Sequence, residues 1–490
     1  MVETLSLVFS PVSIITIFAG VLIGISVGAM PGLTSTMAIA LLMPLTFGMM
    51  PHHGMMLLIA QFVGAIYGGA ITAILINTPG TPSAAATVMD GYPFTLRGES
   101  GRALGIVTVS SFGGGIISGF LLIFIATILA RIALRLSAPE TFALAFFGIS
   151  IISSISGKSI LKGLLSGCLG LLLSLVGVDN ITGFTRFAFG STFLMGGFAF
   201  IPVMVGLFAM SQCLLTIEQI EWKTTITQKI TRALPTKEDL KRIWTTILRG
   251  GITGTFIGAV PGAGGDISAF ISYDMERRVS KHPELFGTGL PEGIAAPEAS
   301  NNGTTGGALI PLLTLGIPGD SNTAVMLGAL MFHNLIPGPM LFMQQAATVN
   351  TLFIGFMIAN VFMLILGLSG IRLFVKIAQI PSRILVPVIM VLCILGSFAI
   401  NNNFLDVVVM IGAGVAGYAL AKGGFPLSPI VLALILGPMA EGNLRRSLVM
   451  SQGDPMIFLQ RPIAAAFIVI AIISLFFPII RQAIKIYRKK

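Results

Sequence analysis

Residues 306–323 read GGALIPLLTLGIPGDSNT. An apolar run is cut there by Gly316-Ile317-Pro318-Gly319, which delivers Asp320, Ser321, Asn322 and Thr323 before the chain turns apolar again at Ala324. Pro318 has no N–H to donate and Gly319 no side chain to hold it helical, so the pair breaks a helix and frees backbone groups. Polar groups with apolar sequence on both sides put the break at membrane depth. In hydrocarbon, freed groups persist only where protein buries them or a wet cavity receives them. The feature occurs twice: Gly68-Gly69-Ala70 leads into ITAILINTPGTPS, with Asn77, Thr78, Thr81 and Ser83 around Pro79-Gly80.

Composition sets the class. Of 490 residues, 54% are hydrophobic and 10% charged, where a soluble domain carries about 25% charge. The chain reads as an all-α, polytopic helical membrane protein embedded in a lipid bilayer. Runs at 14–29, 119–130, 352–368 and 463–480 are long enough, or nearly so, to cross a hydrocarbon core that needs about 20 residues per helix. The short alternating segments of a barrel are not seen. The formal charge of +10 comes from Lys and Arg scattered through short loops, so it marks topology rather than a nucleic-acid surface. Cys168, Cys213 and Cys393 lie in apolar runs without CxxC spacing and read as small hydrophobes rather than disulfides or metal ligands. The N-terminus lacks the basic region of a signal peptide and reads as a retained first helix.

Landmarks recur at a nearly constant interval. Pro31-Gly32 answers Pro261-Gly262, Gly68-Gly69-Ala70 answers Gly306-Gly307-Ala308, and Pro79-Gly80 answers Pro318-Gly319. GLFAMS from Gly206 answers GPMAEG from Gly437 more weakly. These spacings predict a first transmembrane repeat over 1–222, a charged cytoplasmic linker over 223–245, a second repeat over 246–450, and a final helix with a basic cytoplasmic tail over 451–490. The second copy holds an extra polar stretch, read as a loop over 274–302. Arg97 and Arg102 mark a loop whose counterpart from His333 has no Lys or Arg, and Arg277, Arg278 and Lys281 mark one whose counterpart from Phe47 has none. If basic loops face inward, the copies are inverted, with broken or re-entrant helices as in many secondary transporters. Arg131/Arg135 and Arg372/Lys376 are basic in both copies and do not discriminate.

Each copy thus carries two interruptions. The first is followed by Leu33-Thr34-Ser35-Thr36 in one copy and by Gly264-Gly265-Asp266-Ile267-Ser268 in the other. A half-helix N-terminus presents unpaired N–H groups and partial positive charge to an anion, and a half-helix C-terminus presents carbonyls to a cation. The expected substrate-binding set is Pro31, Gly32, Thr34, Ser35, Asn77, Thr78, Pro79, Gly80, Thr81, Ser83, Pro261, Gly262, Ser268, Pro318, Gly319, Ser321, Asn322 and Thr323. None of the four clusters contains Lys, Arg or His, so an anion held there keeps much of its charge. A coupling cation, sodium or a proton, held by Asp266, Asn301, Asn302 or Asp320 would offset it, since an ionisable group inside a membrane segment is functional by default. Asp320 also fits a plain helix N-cap. No other cofactor is indicated.

Three further patterns compete. GISVG from Gly24 matches G-x-S-x-G, which would make Ser26 the nucleophile of an intramembrane hydrolase, but that elbow needs a strand before it and a helix after it. His52 and His53 follow Pro51 and read as a surface turn, with no metal spacing among the histidines. Gly113-Gly114-Gly115 fits close helix packing.

At its motifs the chain resembles the large membrane subunit of the tripartite tricarboxylate transporters, the TctA family. The matching stretches are GAMPGLTSTMAIALLMPLTFGM from Gly28, YGGAITAILINTPGTPSAAATVMDGYPFTLRGESGRALG from Tyr67, GAVPGAGGDISAF from Gly258 and EGIAAPEASNNGTTGGALIPLLTLGIPG from Glu292. The resemblance implies no enzyme but a multi-pass subunit in a bacterial inner membrane. Its implied task is carboxylate uptake driven by an ion gradient, with a periplasmic solute-binding protein and a small membrane subunit as partners. A stand-alone ion-coupled permease is the alternative. The chain departs from the family pattern at Asp320-Ser321-Asn322, where small residues are usual, so the resemblance does not carry the identity of the organic acid.

Overall fold

The computed structural model describes residues 2–133, 136–150, 159–179, 181–218, 234–262 and 264–487. These are helical apart from turns and one two-residue strand pair, Gly177–Val178 with Thr185–Arg186. Seven of the helices are long and apolar enough to cross a membrane. Two compact units form, each from two separate segments: Met1–Leu129 with Leu215–Val391, and Ala130–Leu214 with Leu392–Lys490.

The first unit carries every interruption. After a short helix, Val2–Val8, its elements are α1 (Pro11–Gly28), α2 (Ser35–Leu42), α3 (Pro51–Ile76), α4 (Ala85–Leu96) and α5 (Ser100–Ala133). From the second segment come α6 (Lys237–Ala259), α7 (Gly264–Val279), α8 (Pro291–Leu315), α9 (Ser321–Phe332) and α10 (Ala346–Ser369). Starts are set by ordinary signals. Ser10 caps α1, its Oγ accepting from the Ser13 N–H at 3.2 Å, and Pro occupies the first helical position of α1, α3 and α8, where its missing donor costs nothing.

Glycine stripes set the packing. A Cβ on Gly20, Gly24 or Gly28 of α1 would lie 2.5, 2.2 or 2.1 Å from the carbonyl oxygens of Leu57, Gln61 and Ala65. Contacts that rise together along both chains make α1 and α3 parallel neighbours in near-backbone contact. The same arrangement joins α6 to α8, where a Cβ on Gly250, Gly254 or Gly258 would meet the carbonyls of Ala296, Ser300 and Thr304 at 2.9, 2.1 and 2.7 Å. Small residues allow this approach, on which helix association in lipid depends.

Parallel neighbours require a return path, and α2 and α7 supply it. At 8 and 16 residues they reach about 12 and 24 Å, short of a full crossing in each case. Ends locate the other helices. Gly91 of α4 packs on Ile74 near the end of α3, while its neighbour Asp90 packs on Gly293 at the start of α8. Conversely, Gly54 at the start of α3 meets His333, and the Gly338 N–H just beyond donates to Leu313 O at the end of α8. So α3 and α8 run antiparallel.

The two basic loops meet at one end of this unit. Arg97 donates to Gly289 O at 2.8 Å, Arg102 pairs with Asp239 at 2.7 Å, and Arg242 with Glu292 at 2.9 Å. At the other end, Thr46 Oγ1 lies 2.9 Å from His333 Nε2, and residues 46–53 and 333–338 contain no Lys, Arg, Asp or Glu.

Two readings of the sequence need correction, over 274–302 and at His52, while Ser26 lies in a helix as expected. The polar stretch 274–302 is not a loop throughout. It holds the end of α7, a 3-10 turn at Pro283–Leu285 and the first twelve residues of α8, of which Glu298, Asn301 and Asn302 are fully buried. Proline at the first position starts that helix, and the surrounding helices bury these polar side chains. His52 is a buried residue in the first turn of α3 rather than part of a surface turn. Ser26 lies inside α1 with its Oγ donating to Leu22 O at 2.7 Å, so the strand-turn-helix elbow of a hydrolase is missing. Of the expected linker, residues 223–233 lie outside the described residues, and from Lys237 the chain is already α6.

The second unit includes Phe200–Glu218 and Phe404–Lys422, which touch where a Cβ on Gly206 would lie 2.3 Å from Met410 O. Asp179 holds Arg186 and Arg445 at 2.7 Å each, and Glu441 joins both arginines.

Candidate functional site

The long buried helices end on left-handed residues. Asn77 closes α3 at φ 57° and Gly316 closes α8 at φ 70°, the conformation that Gly and Asn adopt most readily. Each chain then folds back on its own helix pair. The Gly80 N–H donates to Gly69 O at 3.0 Å, and the Gly262 N–H to Gly319 O at 2.8 Å. A Cβ on Gly80 would stand 2.1 Å from Gly28 O, and one on Gly319 2.5 Å from Gly258 O. The two breaks are therefore docked on the ends of the glycine stripes, with no room for a side chain.

From these turns four helix starts converge. Thr34 caps α2, its Oγ1 accepting from the Met37 N–H at 3.1 Å. Asp320 caps α9, with Oδ1 accepting from the Thr323 N–H at 2.8 Å and from Thr323 Oγ1 at 2.6 Å. Thr36 Oγ1 donates to Asn322 Oδ1 at 2.9 Å, and Asn322 Nδ2 to Asp320 Oδ2 at 3.1 Å. Gly264 opens α7 beside Asp320, a Cβ there lying 3.9 Å from the Asp320 Cβ. At Gly265 a Cβ would lie 2.6 Å from Asn301 Oδ1 and 3.2 Å from the Ser83 Cβ, in the turn that leads into α4. Contacts thus run from Thr36 through Asn322, Asp320, Gly264 and Gly265 to Ser83, joining the starts of α2, α9 and α7 and the entry to α4. Helix N-termini aimed at one region favour an anion.

Residues 14–432 match the model of the Tripartite tricarboxylate transporter TctA family. This chain belongs to that family. It is also 39% identical over 476 residues to an uncharacterized 52.8 kDa protein of the TAR-I ttuC′ 3′ region of Agrobacterium vitis, covering 96% of this chain and 95% of the relative. A second protein of that organism, from the TAR-II ttuC′ 3′ region, is 38% identical over 232 residues, covering 47% of this chain and 96% of the relative. No solved structure matches. Membership makes the chain a multi-pass membrane component of a transport system and not an enzyme.

Within this TctA-family fold the expected site residues separate into two groups. Pro31, Gly32, Thr34, Pro79, Gly80, Thr81, Ser83, Pro261, Gly262, Pro318, Gly319, Asp320, Ser321, Asn322 and Thr323 all fall in the converging turns and helix starts. Ser35 Oγ and both polar atoms of the Asn301 side chain are buried without a partner at this junction. Asp266 lies in the first turn of α7 and is exposed. The remaining residues serve elsewhere. Asn77 and Thr78 are exposed, the first as a C-cap and the second bonded to Ile76 O at 3.2 Å. Ser268 Oγ pairs with Ser300 Oγ in the α7–α8 contact. Asn302 Nδ2 donates to Glu298 O at 3.2 Å, one turn back on its own helix. Among the described residues no group of three or more His, Cys, Asp and Glu could hold a metal.

Sequence reasoning missed Glu298. It is fully buried and accepts from Thr87 Oγ1 and, at 3.0 Å, from Ser111 Oγ. The signal was an acid set among small residues in APEASNN, which the loop reading discounted.

Proposed function

We propose that this chain is the membrane component of an ion-gradient-driven carboxylate uptake system in a bacterial inner membrane. It works with a periplasmic solute-binding protein and a small membrane subunit. The chain is two inverted copies of one helix arrangement, 1–222 and 246–450, and the acid binds where the broken helices of both copies meet. What supports the repeat is recurrence. The carbonyl contacts of Gly20, Gly24 and Gly28 return at Gly250, Gly254 and Gly258, and those of Gly80 at Gly319, while α3 and α8 run antiparallel. The end holding Arg97, Arg102 and Arg242 faces the cytoplasm, by the rule that basic loops stay inside.

The observation that carries the binding site is the contact of Thr36 with Asn322, which brings first-copy and second-copy breaks together. Neutral hydroxyls, amides and helix N-termini receive the carboxylate. Asp266, Asp320 and Asn301 line the same junction and hold the coupling ion, sodium or a proton. Reconstitution tests this reading. Liposomes holding this chain and the small membrane subunit should accumulate labelled organic acid only when the binding protein and an inward ion gradient are both supplied. Uptake that continues without either one overturns it.

A further inference from the structure

Along α5, away from the helix starts, a carboxylate and an amide oxygen of α8 and an amide oxygen of α10 lie buried and uncompensated. Glu298, Asn302 and Gly306 follow at four-residue intervals and share one face of α8. That face packs on α5: Ser111 Oγ donates to Glu298 Oε2, and a Cβ on Gly306 would lie 2.5 Å from Ser118 Oγ. α10 brings Asn360, whose Oδ1 would lie 1.8 Å from a Cβ on Gly115, one turn along the same face of α5 from Ser111. Glu298, Asn302 and Asn360 are all fully buried.

Both amides are anchored in the same way. Asn302 Nδ2 donates to Glu298 O, and Asn360 Nδ2 to Phe356 O at 2.8 Å, each one turn back on its own helix. This leaves Asn302 Oδ1 and Asn360 Oδ1 buried with no donor. Buried acceptors are nearly always satisfied, and exceptions call for a missing partner. Glu298 itself is bonded only to two hydroxyls, with no Lys, Arg or His paired to it among the described residues.

The chemistry of the partner follows. A proton on Glu298 would add one donor and would need a water beside it to serve both amides, an arrangement that shows no sodium dependence. A water could donate to both amides but would leave the carboxylate charge buried and uncompensated, which is costly. A single hard monovalent cation bridging the carboxylate and both amide oxygens would satisfy all three and cancel a single negative charge, since carboxylate and carbonyl oxygens suit such ions. We propose that Glu298, Asn302 and Asn360 form a sodium site, separate from the Asp266–Asp320 junction. Its part in coupling rests on the ion-driven reading above; its binding does not.

The test is thermal unfolding of the purified full chain in detergent, with sodium chloride titrated against choline chloride at constant ionic strength. Sodium should raise the wild-type Tm in a saturable way, as binding to the folded state requires. Glu298→Gln and, on a different helix, Asn360→Ala should weaken the apparent sodium affinity by at least about tenfold. The double variant Asp266→Asn with Asp320→Asn should retain a sodium response. No sodium response in the Asp266→Asn, Asp320→Asn double variant, or one in that background that survives both Glu298→Gln and Asn360→Ala, overturns the site. A sodium response lost in those two variants while uptake proves independent of any ion gradient upholds the site and removes the coupling reading instead.

Discussion

Thr36 Oγ1 donates to Asn322 Oδ1 at 2.9 Å across 286 residues of chain. Thr36 belongs to the helix after the first break, Asn322 to the helix after the last, and Asn322 passes the contact on to Asp320. Thr36→Val keeps the shape and removes the donor, leaving a buried amide oxygen short of a partner. Stability should fall by about 1–3 kcal/mol, and uptake by more than the loss of folded protein explains. Thermal unfolding and initial uptake rates on the same preparation check this.

The breaks offer a second prediction. Ala at Gly80 or Gly319 restores helix propensity, but it also forces a Cβ against Gly28 O or Gly258 O, and overpacking of this kind costs about 1–3 kcal/mol. Pro318→Ala and Pro79→Ala restore the donor without the collision. If the open helix ends are what bind the acid, the proline variants should insert and fold normally yet lose most uptake. Wild-type uptake by both would reduce the breaks to plain turns.

Asp320 is both cap and candidate ion ligand. Asparagine caps about as well as aspartate, so Asp320→Asn should change stability little while weakening the dependence of uptake on sodium or on pH. Asp320→Ala should also lose about 1 kcal/mol as the cap goes. Initial rates over a sodium series and a pH series read the first effect, and ion curves identical to wild type would leave Asp320 only its structural role.

At the basic end, burial pushes the Asp239 carboxyl up, but hydrogen bonds from Arg102 and Thr236 outweigh it and hold the group below the ordinary carboxylate range. A carboxyl depressed in the folded state stabilises fully above its unfolded value, about 3.9, and that contribution fades as pH falls through the folded value. The wild type should therefore lose stability with acid below about pH 4 more steeply than Asp239→Asn. Unfolding midpoints at stepped pH compare the two.

By itself the sequence determined the class, the breaks and the pairing of landmarks. Helix in hydrocarbon is close to obligatory, and a Pro-Gly pair in an apolar run interrupts it by backbone chemistry that needs no neighbour. The offset between Pro31-Gly32 and Pro261-Gly262 is likewise written in one dimension. Tertiary structure decided which break meets which. Thr36 reaches Asn322, and Gly265 reaches Ser83, because each helix pair is closed by glycine stripes and the two pairs run in opposite directions; spacing along the chain carries neither fact. It also decided that Asn77 and Ser268 serve as cap and packing contact while Glu298 is buried. Whether a polar residue in a membrane helix faces a neighbour, a cavity or its own backbone depends on what packs around it, and for α8 that is α4, α5, α6 and α7 together.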